Sequence, residues 1–251
     1  MGSYSGGLSD RIAIVTGAES GIGRACAVGL EEAGARVAAC YFKDRHGVGA
    51  GAPFPCDVSN EQSVENAFAS IEAGLGGGDI LVNCAGLNQS GVAVADMSLT
   101  QWRGLISTDL TGAFLMCRRF LRDRHKSGRG GRIINISSIH DEDARAGAAD
   151  YCSAKAGLRA LTKTLALEAA PLGVTVNSIA PGMILTPMNE RAQRDGDYRQ
   201  SLEATIPLGR AGRAEEVAAV VVFLASPRAD YITGASIVID GGLSLVLGQG
   251  A

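Results

Sequence analysis

The sequence predicts an α/β protein whose single domain is built on a doubly wound, mostly parallel sheet, and three observations support this fold class. Seven short apolar runs alternate with longer runs of helical periodicity almost to the end of the chain, which is typical of a parallel sheet covered by helices on both faces. No linker, repeat or low-complexity tract divides the 251 residues. Glycine and polar residues follow several of the predicted strands.

The strands are predicted from short runs rich in β-branched residues. They span residues 11–16, 36–41, 53–57, 79–83, 132–137, 174–179 and 236–240. The helices are predicted from apolar residues spaced three and four apart, over 22–33, 60–73, 100–126, 149–170 and 214–225. Only a short stretch, residues 43–52, joins the second and third strands, so no helix is expected there.

The composition limits the classes of function. A formal net charge of -3 gives no general attraction to nucleic acid or to an anionic membrane, and no apolar run approaches the roughly 18 residues of a membrane helix. Residues 1–10 are small and polar, and they are expected to form a disordered leader before a domain at 11–251. The six cysteines form no CxxC pair or metal-like spacing with the three histidines, so we expect no metal and a cytoplasmic protein.

A glycine-rich turn follows the first predicted strand and opens the first helix. It contains Gly17, Gly21 and Gly23 in the pattern T-G-x-x-x-G-x-G, with Ser20 and Ile22 between them. Glycines there let the backbone turn sharply and let a pyrophosphate approach the first amide groups of the helix. Many turns need glycine, so the position between a buried strand and a helix is what favours a dinucleotide site.

Three further strand ends carry residues suited to a site. The carboxyl ends of parallel strands meet at one edge of the sheet, where ligands of doubly wound folds bind. The residues are Asn83, Ala85 and Gly86 after the fourth strand, Ser138 after the fifth, and Pro181 and Gly182 after the sixth.

A tyrosine and a lysine lie about one turn apart on a predicted helix. Tyr151 and Lys155 are separated by four positions and share a face. A free tyrosine has a pKa of about 10 and is a poor acid or base at neutral pH, but a nearby ammonium favours its ionised form. Ser138 could hydrogen-bond a substrate carbonyl as charge develops on it. Taken separately, a half-buried tyrosine, a solvated lysine and a turn serine are the simpler interpretation.

Together these residues resemble the short-chain dehydrogenase/reductase family. The motifs are TGAESGIG (16–23), NCAG (83–86), the Ser138–Tyr151–Lys155 set, NSIAPG (177–182) and DGG (240–242). The resemblance runs from about residue 11 to 243 and implies a Rossmann-type fold, a nicotinamide cofactor and a homotetramer built through the two long helices. It also implies an oxidoreductase that interconverts a secondary alcohol and a ketone, or a lactol and a lactone.

The resemblance implies a role for each motif. Tyr151 would exchange a proton with the substrate oxygen, Ser138 would hold that oxygen, and Lys155 would bind the nicotinamide ribose and favour the ionised tyrosine. The implied cofactor contacts are Gly17, Ser20, Gly21, Ile22, Gly23, Tyr41, Phe42, Lys43, Asp57, Val58, Asn83, Ala85, Gly86, Tyr151, Lys155, Pro181, Gly182, Ile184 and Thr186.

The sequence departs from the family pattern at two of these motifs. Asp109 stands where the usual catalytic set has an asparagine, in DLTG rather than N-x-x-G. The family role of that residue rests partly on a backbone carbonyl, which aspartate keeps, so activity is expected to survive. Cys84 replaces the more usual second asparagine of NNAG.

The cofactor is expected to be NADP(H), with NAD(H) as the alternative. An acidic residue at the end of the second strand would bind the ribose hydroxyls of NAD and repel a 2′-phosphate, but Tyr41 occupies that position. Lys43 or Arg45 could pair with the phosphate, although Lys43 could equally be a solvated loop charge. Against NADP, Ser20 stands where NADP-preferring relatives often carry a cation, and Glu19 is acidic.

For the substrate, local sequences resemble the glucose 1-dehydrogenase branch and favour a sugar or polyol. Asn88, Gln89 and His140 could bind hydroxyl groups, with Met188 in a covering segment over 186–212, although His140 could equally be a turn residue. Asn88 stands where glucose-type relatives tend to be acidic, which argues against glucose itself. The alternatives are a 3-oxoacyl or polyketide-type ketoreductase and, more remotely, a non-catalytic dinucleotide-binding regulator.

A basic run ends the helix predicted over 100–126 and continues into its loop. It contains seven arginines and lysines between positions 118 and 132. Docking of an acidic carrier protein would suit an acyl-carrier reductase. Because the helix runs away from the active edge, a solvated face or a subunit contact is the favoured interpretation.

Overall fold

The computed structural model describes residues 7–88 and 91–246. In this part of the chain, seven strands form one parallel sheet and two further strands form a short separate ladder. The strands are β1 (Ile12–Thr16), β2 (Arg36–Tyr41), β3 (Ala52–Pro55), β4 (Ile80–Asn83), β5 (Gly131–Ile136), β6 (Val174–Pro181), β7 (Ile184–Leu185), β8 (Gly212–Arg213) and β9 (Ser236–Ile239).

The order of the strands creates the crevice in which a ligand can bind. The sheet runs β3-β2-β1-β4-β5-β6-β9, and Ala13 of β1 pairs with Val37 of β2 on one side and with Ile80 of β4 on the other. The chain therefore winds outward in both directions from β1 and β4, which leaves an opening beyond their carboxyl ends. The doubly wound fold predicted from the sequence is confirmed.

Helices cover both faces of the sheet. They are α1 (Gly21–Glu32), α2 (Glu61–Leu75), α3 (Leu99–Ile106), α4 (Ala113–Ser127), α5 (Ala149–Ala169), α6 (Glu190–Arg194), α7 (Gly196–Glu203), α8 (Ala214–Ala225) and α9 (Leu243–Val246). On one face α1 and α8 pack around Leu30 and Val221. On the other, α2, α4 and α5 pack around Phe68, Phe120 and Leu165.

One expectation from the sequence needs correction. The single helix expected over 100–126 is divided, because a π-helical turn at Ser107–Gly112 separates α3 from α4. Leu8, which falls in the expected leader at 1–10, is buried with the core of the domain, and its carbonyl accepts the Arg11 amide at 3.0 Å. Residues 1–6 of that leader lie outside the described residues.

The link between β2 and β3 has no α-helix, as expected. It contains only a 3₁₀ turn at Arg45–Gly47, where Asp44 accepts the His46 amide at 2.9 Å. The turn packs on the glycine-rich loop, since a Cβ at Gly47 would lie 2.6 Å from the carbonyl oxygen of Glu19. The second strand end and the glycine turn are therefore held together.

The covering segment, residues 186–212, is anchored at both ends. Ile184 and Leu185 of β7 pair with Gly212 and Arg213 of β8, and α6 and α7 lie between them. Within the described residues no helix is both long and apolar enough to span a membrane.

Much of the basic run is paired with carboxylates of the same chain. Arg124 and Arg129 lie 3.3 and 2.7 Å from the buried Asp79. The other ion pairs are Arg118–Glu61, Arg119–Glu65, Arg119–Asp123, Arg122–Glu65 and Arg132–Asp230. These arginines connect the helices and loops of the fold, so the run is not simply a free cationic face.

Candidate active site

A cleft of about 860 Å³ opens at the carboxyl ends of the strands, between the glycine turn and segment 186–212. Most of the residues expected from the sequence line it. They are Gly17, Ser20, Gly21, Ile22, Gly23, Phe42, Lys43, Asp57, Val58, Ala85, Gly86, Asn88, Asp109, Ser138, His140, Tyr151, Lys155, Pro181, Gly182, Ile184, Thr186 and Met188.

Two expected cofactor residues, Asn83 and Tyr41, do not line the cleft. The Asn83 amide is buried and donates to Asn135 Oδ1 at 2.8 Å, within a network that continues to Thr162. Tyr41 pairs through its carbonyl with the Cys56 amide at 2.8 Å. The Asn83 side chain and the Tyr41 backbone thus hold strand ends in place, and contact of either residue with a cofactor stays a prediction.

The glycine turn is shaped for close approach of a phosphate. Gly17 has a φ of 65°, and a Cβ on Gly23 would lie 2.2 Å from the Gly17 carbonyl oxygen. Ser20 occupies the N-cap of α1, but its side chain makes no capping hydrogen bond. The first amides of the helix therefore remain available to an anion, which fits the pyrophosphate of a dinucleotide.

Thr16 joins the ends of β1 and β4, a contact that sequence reasoning missed. Its hydroxyl accepts the amides of Cys84 and Ala85, both at 3.0 Å. The threonine that precedes the first glycine of the motif was the available signal. This contact fixes the loop that carries Gly86 against the glycine turn.

Ser138 and His140 are held by a short 3₁₀ turn after β5. Ser138 Oγ accepts the His140 amide at 3.2 Å, which leaves the Ser138 hydroxyl hydrogen free to point elsewhere. His140 Nδ1 lies 2.8 Å from the Asp143 carbonyl oxygen. Because a carbonyl only accepts, Nδ1 carries a hydrogen, so Nε2 is the acceptor in the uncharged form of the ring. The His140 and Tyr151 rings lie 6.4 Å apart, edge to face.

Tyr151, Lys155 and Asp109 form the charged centre of the cleft. Lys155 Nζ lies 5.4 Å from the centre of the Tyr151 ring and donates to the Ile136 carbonyl at 3.3 Å. On its other side Nζ lies 3.1 Å from Asp109 Oδ2, and both side chains are buried. Asp109 Oδ1 accepts the Leu87 amide at 2.8 Å. A buried carboxylate therefore competes with Tyr151 for the same ammonium.

The charges around Lys155 shift its pKa and that of a neighbouring thiol. Burial lowers the pKa of Lys155, but the Asp109 carboxylate and then Tyr151 raise it, and the net pKa is above the ordinary lysine value. Lys155 is therefore a cation throughout the neutral range. Burial raises the pKa of Cys84 to about 12, so this thiol is protonated and unreactive at neutral pH.

Part of the cleft lies between the loop after β4 and segment 186–212. The Asn88 side chain donates to the Met188 carbonyl at 3.2 Å, so it ties that loop to the covering segment. Gln89 lies outside the described residues. Arg145 also lines the cleft, although sequence reasoning did not select it, because no motif surrounds it.

Comparisons with known proteins agree with this geometry. A family model described as enoyl-(acyl carrier protein) reductase matches residues 17–244. The 3beta-hydroxysteroid dehydrogenase 1 of Eggerthella lenta is 38% identical over 96% of this chain and 96% of its own length. The 3-oxoacyl-(acyl-carrier-protein) reductase of Vibrio cholerae is 39% identical over 95% of this chain and 99% of its own.

A solved structure with the same fold was determined with ligands bound. It is a gluconate 5-dehydrogenase from Burkholderia cenocepacia in complex with NADP and tartrate. It is 31% identical, covers 96% of this chain and 98% of its own, and has a TM-score of 0.89.

Proposed function

Because the chain belongs to the short-chain dehydrogenase/reductase family, we propose that it interconverts a secondary alcohol and a ketone, or a lactol and a lactone, with a nicotinamide dinucleotide. The proposal rests on one observation: Ser138, Tyr151 and Lys155 all line the cleft that begins at the glycine turn. The dinucleotide would supply or accept the hydride. The residues of the chain bind the substrate oxygen and move its proton.

Tyr151 and Ser138 both interact with the substrate oxygen in the proposed reaction. In ketone reduction the Tyr151 hydroxyl donates its proton to that oxygen, while the free hydroxyl hydrogen of Ser138 donates a hydrogen bond to it. In alcohol oxidation the proton returns to Tyr151. The Lys155 ammonium favours the negative charge that develops on the phenol oxygen when the proton leaves.

The cofactor would lie along the line from the glycine turn to Lys155. The free amides at the start of α1 would hold the pyrophosphate, and Asp57 and Val58, which line the cleft, would border the adenine. Ile184 and Thr186, which also line the cleft, would border the nicotinamide together with Pro181 and Gly182. The preference for NADP(H) over NAD(H) stays an expectation from the sequence, and the Glu19 carboxylate at the end of β2 weighs against it.

We favour a sugar or polyol as the substrate class. The support is His140, whose protonated Nδ1 leaves Nε2 as a hydrogen-bond acceptor near Tyr151. An acceptor at that point suits a substrate that carries a second hydroxyl group next to the reacting carbon. The gluconate 5-dehydrogenase neighbour is consistent with this class.

The second candidate is a 3-oxoacyl-type ketoreductase, which the Vibrio cholerae relative supports. Docking of an acidic carrier protein would need exposed, unpaired cations beside the cleft. Because the basic run pairs with carboxylates such as Asp79 and Glu65, it offers little support for such docking.

A substrate screen tests the proposed function. Purified protein is incubated with NADH, NADPH or their oxidised forms and with sugars, polyols, cyclic ketones and acyl thioesters, and the absorbance of the reduced nicotinamide is followed. We expect turnover with at least one polyhydroxy substrate. Preferential turnover of acyl thioesters would replace the first candidate with the second, and binding of neither dinucleotide would reject both.

The substitution Tyr151→Phe separates chemistry from binding. We expect turnover to fall by about 10³-fold or more, because the variant has no hydroxyl to exchange the proton, while the dinucleotide still binds. Tyr231→Phe is the control, since Tyr231 is fully exposed and outside the cleft. Near-normal turnover in Tyr151→Phe would reject the assignment of this residue.

The remaining expectations concern the assembly and its surroundings. We infer a homotetramer built through the long helices, supported by large apolar side chains exposed on them, Phe114 on α4 and Leu167 on α5. We also infer a reducing, cytoplasmic compartment, supported by six cysteines that are all free thiols.

A further inference from the structure

A carboxylate from the glycine turn reaches across to the end of β2. Glu19 Oε2 and Oε1 accept the Phe42 amide at 3.1 and 3.2 Å, and Oε1 also accepts the Lys43 amide at 3.3 Å. Glu19 stands two residues before α1, and Phe42 and Lys43 are the first two residues after β2. All three residues line the cleft.

This position matters because doubly wound folds bind the adenosine ribose of a dinucleotide at the end of β2. An acidic side chain on that strand end hydrogen-bonds the 2′-hydroxyl of NAD, while a nearby cation accommodates the 2′-phosphate of NADP. Here the residue on the strand end is Tyr41, which carries no carboxylate and does not itself exclude NADP. Glu19 brings the missing carboxylate to the same place from the glycine turn after the neighbouring strand β1.

The amides of Phe42 and Lys43 are also no longer available to an anion. In a phosphate site such amides would donate to phosphate oxygens, but here the Glu19 carboxylate occupies them. A 2′-phosphate in this corner would meet a negative charge and find both donors in use.

The nearby cations are partly engaged elsewhere. Lys43 Nζ lies 5.3 Å from the centre of the Phe42 ring. The Arg24 side chain packs under the loop, where a Cβ on Gly49 would lie 2.5 Å from its Nε. Arg45 is exposed in the 3₁₀ turn. None of these contacts brings a cation to the Glu19 carboxylate.

We propose that Glu19 determines the cofactor specificity, and that the protein uses NAD(H) in preference to NADP(H). The inference rests on the proposed function, since it concerns which nicotinamide dinucleotide that function employs. The carboxylate accepts a hydrogen bond from a ribose hydroxyl of the adenosine half and repels a 2′-phosphate.

Equilibrium binding tests the proposal without any substrate. The affinities of the full chain for NADH and NADPH are measured by calorimetry, together with AMP and adenosine 2′,5′-bisphosphate as probes of the adenosine half alone. We expect NADH to bind at least about tenfold more tightly than NADPH, which is about 1.4 kcal/mol, and AMP to bind more tightly than the bisphosphate. Tighter binding of NADPH would overturn the specificity but leave the proposed function intact, whereas binding of neither dinucleotide would overturn both.

The substitution Glu19→Gln removes the charge and keeps the size. It should reduce the preference for NADH by about tenfold or more, mainly through tighter binding of NADPH. The affinity for adenosine 2′,5′-bisphosphate should likewise rise relative to that for AMP. Glu32→Gln is the matched control, because it removes the same charge at the exposed far end of α1. An unchanged preference in Glu19→Gln would mean that the carboxylate only braces the loop.

The dependence on salt provides a second test that needs no variant. Repulsion of the 2′-phosphate is screened as ionic strength rises, so the NADPH affinity should rise relative to NADH between about 0.02 and 0.5 M salt. A cationic phosphate pocket would produce the opposite trend. A relative loss of NADPH affinity with salt would therefore overturn the proposal even if Glu19→Gln failed to fold.

Discussion

Asp109 places a buried negative charge beside the lysine of the cleft, where the family pattern has a neutral amide. Its Oδ1 accepts the Leu87 amide, a contact that asparagine could also make, whereas the 3.1 Å ion pair with Lys155 needs the charge. The Lys155 ammonium therefore interacts with the Asp109 carboxylate as well as with Tyr151.

The substitution Asp109→Asn should preserve or raise the rate of alcohol oxidation. It keeps the bond to Leu87 and frees the ammonium to favour ionised Tyr151, so we expect kcat/KM near neutral pH to be unchanged or up to about tenfold higher. The measurement is kcat/KM against pH, with Asp96→Asn, which removes an exposed carboxylate outside the cleft, as the control. A complete loss of turnover would mean that the carboxylate has a catalytic role of its own.

The ion pair between Asp109 and Lys155 also predicts how the stability of the fold depends on pH. The pKa of Lys155 is raised in the folded state. Its contribution to the stability of the folded state is therefore complete below the unfolded pKa of about 10.4, and it is lost as pH rises through the pKa of the folded state. In Asp109→Asn the attraction that raises this pKa is absent. The difference in unfolding free energy between wild type and variant should be about 3 kcal/mol at neutral pH.

That difference should decrease as pH rises above about 10. Urea unfolding of both proteins over a series of pH values measures it, and subtraction removes the titrations they share. A constant difference across the alkaline range would show that the ion pair with Lys155 is not its source.

These residues also show where sequence reasoning stops. The spacing of Tyr151 and Lys155 places them on one helical face, because the geometry of a helix is local. The distance from Asp109 to Lys155, or from Glu19 to the end of β2, depends on how separate elements pack. Such distances between separate elements cannot be predicted from the periodicity of the sequence.

At the scale of elements, most strands and helices follow from local patterns. Buried apolar runs such as β2 and helical periodicity such as α8 have the predicted bounds, and α2 has clear end signals in Asn60 and Gly76. The π-helical turn at 107–112 could not be foreseen, because its residues also suit an ordinary helix. It occurs where Asp109 points into the cleft, which is a usual setting for such turns.

The glycine turn makes a testable prediction at this scale. In Gly23→Ala the new Cβ would lie 2.2 Å from the Gly17 carbonyl oxygen, so the turn must open. We expect a loss of about 2 kcal/mol or more in stability and loss of dinucleotide binding. Urea unfolding and calorimetry measure the two effects.

Gly104→Ala is the matched control for that substitution. Gly104 lies in α3, and a Cβ added there would have nothing within 4 Å, so alanine should stabilise the helix by roughly 0.5–1 kcal/mol and leave binding unchanged. Normal dinucleotide affinity in Gly23→Ala would contradict the role assigned to the turn.

At the scale of the whole molecule, the strand order determines where the chemistry occurs. The cleft lies beyond β1 and β4, the two strands from which the chain winds in opposite directions. The alternation of strands and helices predicts a crevice of this kind. The contents of the covering segment are less predictable, since α6 and α7 are short and have few buried residues.

The outer faces of α4 and α5 make the last prediction. Leu167 is 80% exposed and Phe114 is 41% exposed on helices that cover the same face of the sheet. Large apolar side chains in such positions are typical of subunit contacts. If the chain forms the homotetramer that the family resemblance implies, light scattering should give a mass of about four times 25.8 kDa. Leu167→Asp should lower that mass, because a buried unpaired carboxylate is costly. Val94→Asp, at an exposed site outside α4 and α5, should keep the wild-type mass. A monomeric wild type at about 50 μM, well above the dissociation constants of stable assemblies, would contradict the tetramer.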